Sequence, residues 1–191
     1  MFKEVIKNYK PSNEQESVDK KVMLDFIKNN DNALSRNNLV AHFTTSVFIV
    51  NESFTKVVYA FHNIYNNWAW IGGHNDNDPD FLNVALKESK EETGLVTLKH
   101  YSNDPIMIDV LQVENHYKNG HYINDHLHLN LTYLLIGHED EPLKIKVDEN
   151  SGVKWIDISD MVSITNEERM KLVYLKGQKI INNIKNFLNN K

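Results

Sequence analysis

Gly72-Gly73-His74-Asn75-Asp76-Asn77-Asp78-Pro79-Asp80, continued through Ala85-Leu86-Lys87-Glu88-Ser89-Lys90-Glu91-Glu92-Thr93-Gly94-Leu95, is the stretch around which the chain is organised. The paired glycines make a turn that opens a helix. Asp78 is placed to cap it, with Pro79 at the first helical position, where a missing N–H costs nothing. Gly94 stands where a left-handed residue ends such a helix. Leu82, Ala85, Leu86 and Ser89 recur at helical spacing and make a narrow inward face. Glu88, Glu91 and Glu92 stand at i, i+3 and i+4, so three carboxylates share a different face. Like charges that close repel one another. A bare E-x-x-E-E is more often a solvated acidic face, but a hard divalent cation such as Mg²⁺, which takes oxygen ligands and keeps several waters, would also account for it.

The flanking residues favour the cation. They resemble the Nudix hydrolase signature, G-x5-E-x7-R-E-U-x-E-E-x-G-U, where U is a bulky apolar residue. Counted from Gly73, the later signature positions hold Lys87, Glu88, Ser89, Glu91, Glu92, Gly94 and Leu95, in register throughout. Three positions depart: Pro79 for the first glutamate, Lys87 for the arginine and Ser89 for the apolar residue. In Nudix proteins that glutamate and arginine generally pair to brace the loop and helix. Both have changed here, so neither is left as an unpaired charge. Lysine lacks the planar fork of arginine, and Asp78 or Asp80 is the expected partner of Lys87.

The resemblance implies an α/β fold, a Nudix-like α/β/α sandwich with a mixed sheet, over residues 41–191, preceded by an N-terminal helical extension over 1–40. It also implies hydrolysis of a diphosphate linkage in a nucleoside diphosphate derivative: a nucleotide sugar, ADP-ribose, a dinucleotide or a nucleoside triphosphate. Mg²⁺, with Mn²⁺ as the alternative, would be held by Glu88, Glu91, Glu92 and the Gly72 carbonyl. Glu91 and Glu92 are the expected catalytic members. Nudix enzymes often recruit a further carboxylate from a later loop as ligand or base. Glu149, in the turn Asp148-Glu149-Asn150-Ser151-Gly152, is the favoured candidate, and Glu114 the weaker one. Trp70 and His128 are the expected substrate contacts, a stacking indole and a cleft-lining imidazole, although a tryptophan so placed is more often buried.

Two other readings share the fold. A catalytically silent Nudix domain could sense nucleotides, but it has no need to keep three glutamates. Isopentenyl diphosphate isomerases use a catalytic cysteine, and this chain has none. The same absence excludes disulfides, thiolate zinc sites and thiol nucleophiles. A net charge of −5 argues against a nucleic-acid partner, which needs a basic stripe. No stretch approaches the roughly 18–20 apolar residues of a membrane span, and the N-terminus lacks an apolar leader. A cytoplasmic location is the expectation.

Elsewhere the patterning is coarse. Ser12-Asn13-Glu14-Gln15 reads as a capping box before a helix carrying Val18, Val22, Met23, Phe26 and Ile27, suited to packing on the core or on a second copy in a homodimer. Strands are expected over 42–51, 56–64, 68–71, 106–113, 126–132, 144–147 and 153–158. The segment Glu114–Tyr122 breaks the pattern, and 126–132 alternates with leucines inward. His126 and His128 share one strand face, but no third ligand at a recognisable spacing supports zinc, so they are expected to line the cleft or face solvent. Thr165-Asn166-Glu167-Glu168 reads as a capping box for a last helix facing inward with Val173, Gly177, Ile180, Ile181, Ile184 and Leu188.

Overall fold

The computed structural model describes residues 2–118 and 120–190; Asn119, in the 114–122 segment, lies outside them. The described elements are α1 (Phe2–Asn8), α2 (Glu14–Asn29), β1 (Ala41–Asn51), β2 (Lys56–His62), β3 (Asn67–Ala69), β4 (Ile71–His74), α3 (Phe81–Thr93), β5 (Lys99–His100), β6 (Met107–Val113), β7 (His116–Lys118), β8 (His121–Ile123), β9 (His126–Gly137), β10 (Asn150–Asp157) and α4 (Glu168–Asn189). A mixed sheet runs β10-β2-β1-β9-β5, with β3 on β2, β4 on β1 and β6 on β9, while β7 and β8 pair separately. Among the described residues no helix is long and apolar enough to cross a membrane.

The chain divides into two compact units. The first comprises residues 1–46, 72–85 and 102–133. Here the helical segment covers the outer edge of β6. Ile108 and Val110 donate their amides to the carboxylates of Glu16 and Asp19, at 3.4 and 2.9 Å, so α2 supplies the edge with partners that another strand would otherwise offer. Glu16 is fully buried, and it also accepts from the Ser12 amide and hydroxyl at 2.8 Å each. The cap of α2 is therefore Asn13, which accepts from the Glu16 amide at 2.9 Å, one residue beyond the expected Ser12. Phe2 meets Phe43 and Phe81 edge-on, and those two rings pack tilted on each other.

Strand β9 departs from the expected alternation. Residues 129–135 are buried whichever way they point, whereas Leu127 is exposed. Its polar side chains are buried because they bond one another. Asn130 Oδ1 accepts from the hydroxyls of Thr44 and Ser46 at 2.9 Å each, and its amide donates to Thr132 Oγ1 at 3.1 Å.

The second unit comprises residues 47–71, 86–101 and 134–191. The β1–β2 turn forms where its residues predict: Asn51 Oδ1 accepts the Thr55 and Lys56 amides at 2.8 and 3.0 Å. Helix α4 packs through Tyr174, Gly177 and Ile181, while Leu188 is exposed. Its cap position is Glu167 rather than Thr165, whose hydroxyl instead accepts from the Glu167 amide. Residues 144–147 do not form the expected strand, because their amides are committed elsewhere. Lys144 donates to the Thr93 carbonyl at 2.8 Å and Lys146 to Asn150 Oδ1 at 3.1 Å.

Candidate functional site

Helix α3 begins later than its sequence suggests. Asp80 is the cap, its Oδ1 accepting the Asn83 amide at 3.0 Å, and Asp78 instead receives the Asp80 amide and the Asn83 side chain. The residue before a proline is disfavoured in the helical region, so the start moves past Pro79. Gly94 ends the helix as expected, at φ 74°. A Cβ there would also come within 2.7 Å of Lys144 Cβ.

The turn at 146–150 brings a further carboxylate to the acidic residues of this helix. Asn150 donates from its side chain to the Glu92 carbonyl at 3.1 Å, which pins the 146–150 turn to the end of α3. The Asn63 amide donates to the Glu149 carbonyl at 2.9 Å from the other side. Carboxylate oxygens of Glu88, Glu92 and Glu149 consequently lie within 4.8 Å of one another. Glu88 and Glu92 are only 7 % and 3 % exposed, and Glu149 is half-buried. Glu91 is exposed and turns towards Lys146 at 2.9 Å, with Lys87 at 3.9 Å.

Lys87 does not take the expected role. Its ammonium lies 3.6 Å from Glu88, among the carboxylates, while Asp78 and Asp80 are engaged at the helix start. Lys146, which the sequence did not single out, also bonds Glu149 at 3.1 Å. Burial works to lower the Lys146 ammonium, but its bonds to Glu91 and Glu149 outweigh that and hold it above the ordinary lysine range. Burial raises the Glu88 carboxyl; the two lysines oppose the rise and the neighbouring Glu91 and Glu149 add to it. Carboxylates so crowded and so shielded from water form an all-oxygen donor set, and that set fits a hard divalent cation.

Trp70 is half-buried, its indole against Phe48 and Tyr174 at 5.3 and 5.6 Å between ring centres. Gly72, on β4 in the first unit, sits where a Cβ would meet Ser46 Cα at 2.8 Å. Glu114 is exposed. His126 is buried and His128 half-buried, so neither simply faces solvent. Both belong to a group of imidazoles in the first unit with His42 and His74.

No protein-family model matches the chain, and no curated protein matches it in sequence. Solved structures do. A hydrolase of the NUDIX family from Clostridium perfringens matches with a TM-score of 0.54 at 20% identity, over 75% of this chain and 97% of that one. A C. elegans Ap4A hydrolase, solved as a binary complex, matches at 0.52 and 15%, over 80% and 99%. The E. coli dihydroneopterin triphosphate pyrophosphohydrolase matches at 0.51 and 15%, over 70% and 92%. The chain thus has the fold of the Nudix hydrolases, in agreement with its sequence resemblance to them.

Proposed function

We propose that the protein is a metal-dependent hydrolase that cleaves a diphosphate linkage in a nucleoside diphosphate derivative. The observation that carries this reading is the convergence of Glu88, Glu92 and Glu149 beside two lysines. Glu88 and Glu92, both buried, would hold the cation, Mg²⁺ or Mn²⁺, with the exposed Glu91 of the same helix as a further donor. A bound divalent cation supplies charge neutralisation for the diphosphate and lowers the pKa of water.

The chain's own groups do the rest. Glu149 accepts the proton as a water oxygen bonds to phosphorus, and the bridging P–O bond breaks with its electrons leaving on the departing phosphate. Lys146, bonded to Glu149 and Glu91, fixes both carboxylates and adds positive charge beside the transferring group. Lys87 adds a second ammonium on the Glu88 side.

The experiment is a panel of compounds (Ap4A, ADP-ribose, nucleotide sugars and nucleoside triphosphates, dihydroneopterin triphosphate among them) incubated with Mg²⁺ or Mn²⁺, with products identified by mass. Metal-dependent cleavage at a phosphoanhydride supports the reading. Binding without turnover across the panel would make this a silent nucleotide-binding module instead.

A further inference from the structure

The imidazoles of the first unit share nothing with the carboxylate chemistry. His42 comes from the start of β1, His74 from the end of β4, and His126 and His128 from the start of β9. Strand pairing brings them together, with ring centres 5.0 Å apart for His42 to each of the other three. One ring nitrogen from each of His42, His74 and His128 lies within 4.8 Å of the others.

Their protonation is settled by their partners. His42 Nδ1 meets the Asn38 carbonyl at 3.1 Å and His126 Nδ1 meets the Asn124 carbonyl at 2.8 Å. A carbonyl only accepts, so Nδ1 carries the hydrogen on both rings and Nε2 is left with a lone pair. His42 Nε2 is buried and has no hydrogen-bond partner among the described residues. A buried acceptor left so is costly. His126 Nε2 lies 3.2 Å from His128 Nε2. Two nitrogens on one tetrahedral ion, at bonds of about 2.0–2.1 Å, stand about 3.3 Å apart.

Imidazoles that ligate metals characteristically donate the other ring N–H to a carbonyl or carboxylate, as His42 and His126 do here. Burial lowers His74 to about 3, with the charge of Arg36 and His42 adding, and burial likewise lowers His42 and His128. Burial thus favours the neutral form of His42, His74 and His128, the form that ligates. The nearby Arg36 is paired in a two-pronged bond with Asp76.

We infer that His42, His74 and His128, with His126 as the adjacent fourth donor, bind a borderline divalent transition metal of the Zn²⁺ and Co²⁺ class. Nitrogen donors select such ions over Mg²⁺, which the oxygen set of α3 suits. The bound ion would tie β1, β4 and β9 together within the first unit, separately from hydrolysis.

The test uses the untagged full chain, stripped with chelator and titrated with Co²⁺ or Zn²⁺ in excess Mg²⁺. The expected result is one Co²⁺ per chain, with a visible ligand-field band, that Mg²⁺ does not displace. Glu92→Gln should retain it, and His74→Gln and His128→Gln should each weaken it at least about 10-fold. The exposed His121→Gln serves as control. Wild-type protein gives a second readout that needs no variant to fold. In ¹H–¹⁵N spectra of the imidazoles, Zn²⁺ should shift the four cluster rings and leave His100 and His121 unmoved. Binding that Mg²⁺ abolishes, that Glu92→Gln removes, or that leaves the cluster resonances unshifted would overturn the inference.

Discussion

Glu149 and Ser89 show how differently single residues can be read. Glu88 and Glu92 are legible from helical periodicity alone, because i and i+4 must share a face. Glu149 is only one candidate among loop acids in the sequence. Its place depends on the Asn150 bond to the end of α3, a contact between residues 58 apart. If it accepts the proton from water, Glu149→Gln should lower kcat by about 10²-fold with little change in KM, and the deficit should shrink as rising pH supplies hydroxide. A pH-independent loss, or a change confined to KM, would move Glu149 out of that role. Ser89 replaces the apolar residue of the signature, and its buried hydroxyl has no partner among the described residues. Ser89→Ala should raise stability by about 1 kcal/mol in urea denaturation. Destabilisation of that size would show that the hydroxyl is satisfied by solvent.

At the scale of elements, strands and helices are mostly where their patterns place them, but their ends are not. All three helix starts rich in Ser, Thr, Asn and Asp shift by one or two residues, because several neighbouring side chains compete for the same orphan amides. The inward face of α4 is set by a glycine: a Cβ on Gly177 would come within 2.6 Å of Phe48 Cζ. Gly177→Ala should therefore cost about 1–3 kcal/mol, despite the better helix propensity of alanine, measured by thermal or urea unfolding. A neutral or stabilising result would mean that Phe48 yields.

The β1–β2 turn is tied by Glu139, which accepts from Asn51 and Lys56 at 2.6 Å each. The Lys56 bond first, and the Asn51 bond second, hold the Glu139 carboxyl below its ordinary 4.5. Its contribution is then complete above about pH 4.5 and fades as pH falls through the lower folded value. The stability gap between wild type and Glu139→Gln should be present at neutral pH and close in acid. A gap constant from neutral pH to about pH 3 would contradict this sign.

On the scale of the whole molecule, one motif carried the fold: it accounts for the mixed sheet and the carboxylate helix, although the three solved structures compared above share only 15–20% identity with the chain. The imidazole group was legible only in part. His126 and His128 share a strand face at i and i+2, but His42 and His74 come from distant strands, and only the pairing of β4 and β9 with β1 assembles the group. Lys146 was hidden for a related reason, since a lysine among carboxylates reads in sequence as an ordinary surface charge.

The central claim is that Glu88, Glu92 and Glu149 form a metal-dependent hydrolytic centre. It is tested most directly by the rate at which purified protein releases product from the best panel compound, with and without Mg²⁺, in wild type and in Glu92→Gln. The account predicts release that requires the ion and falls by roughly 10²-fold or more in the variant, with an unchanged circular dichroism spectrum. Release that persists in chelator, or a Glu92→Gln protein that turns over at the wild-type rate, would contradict it.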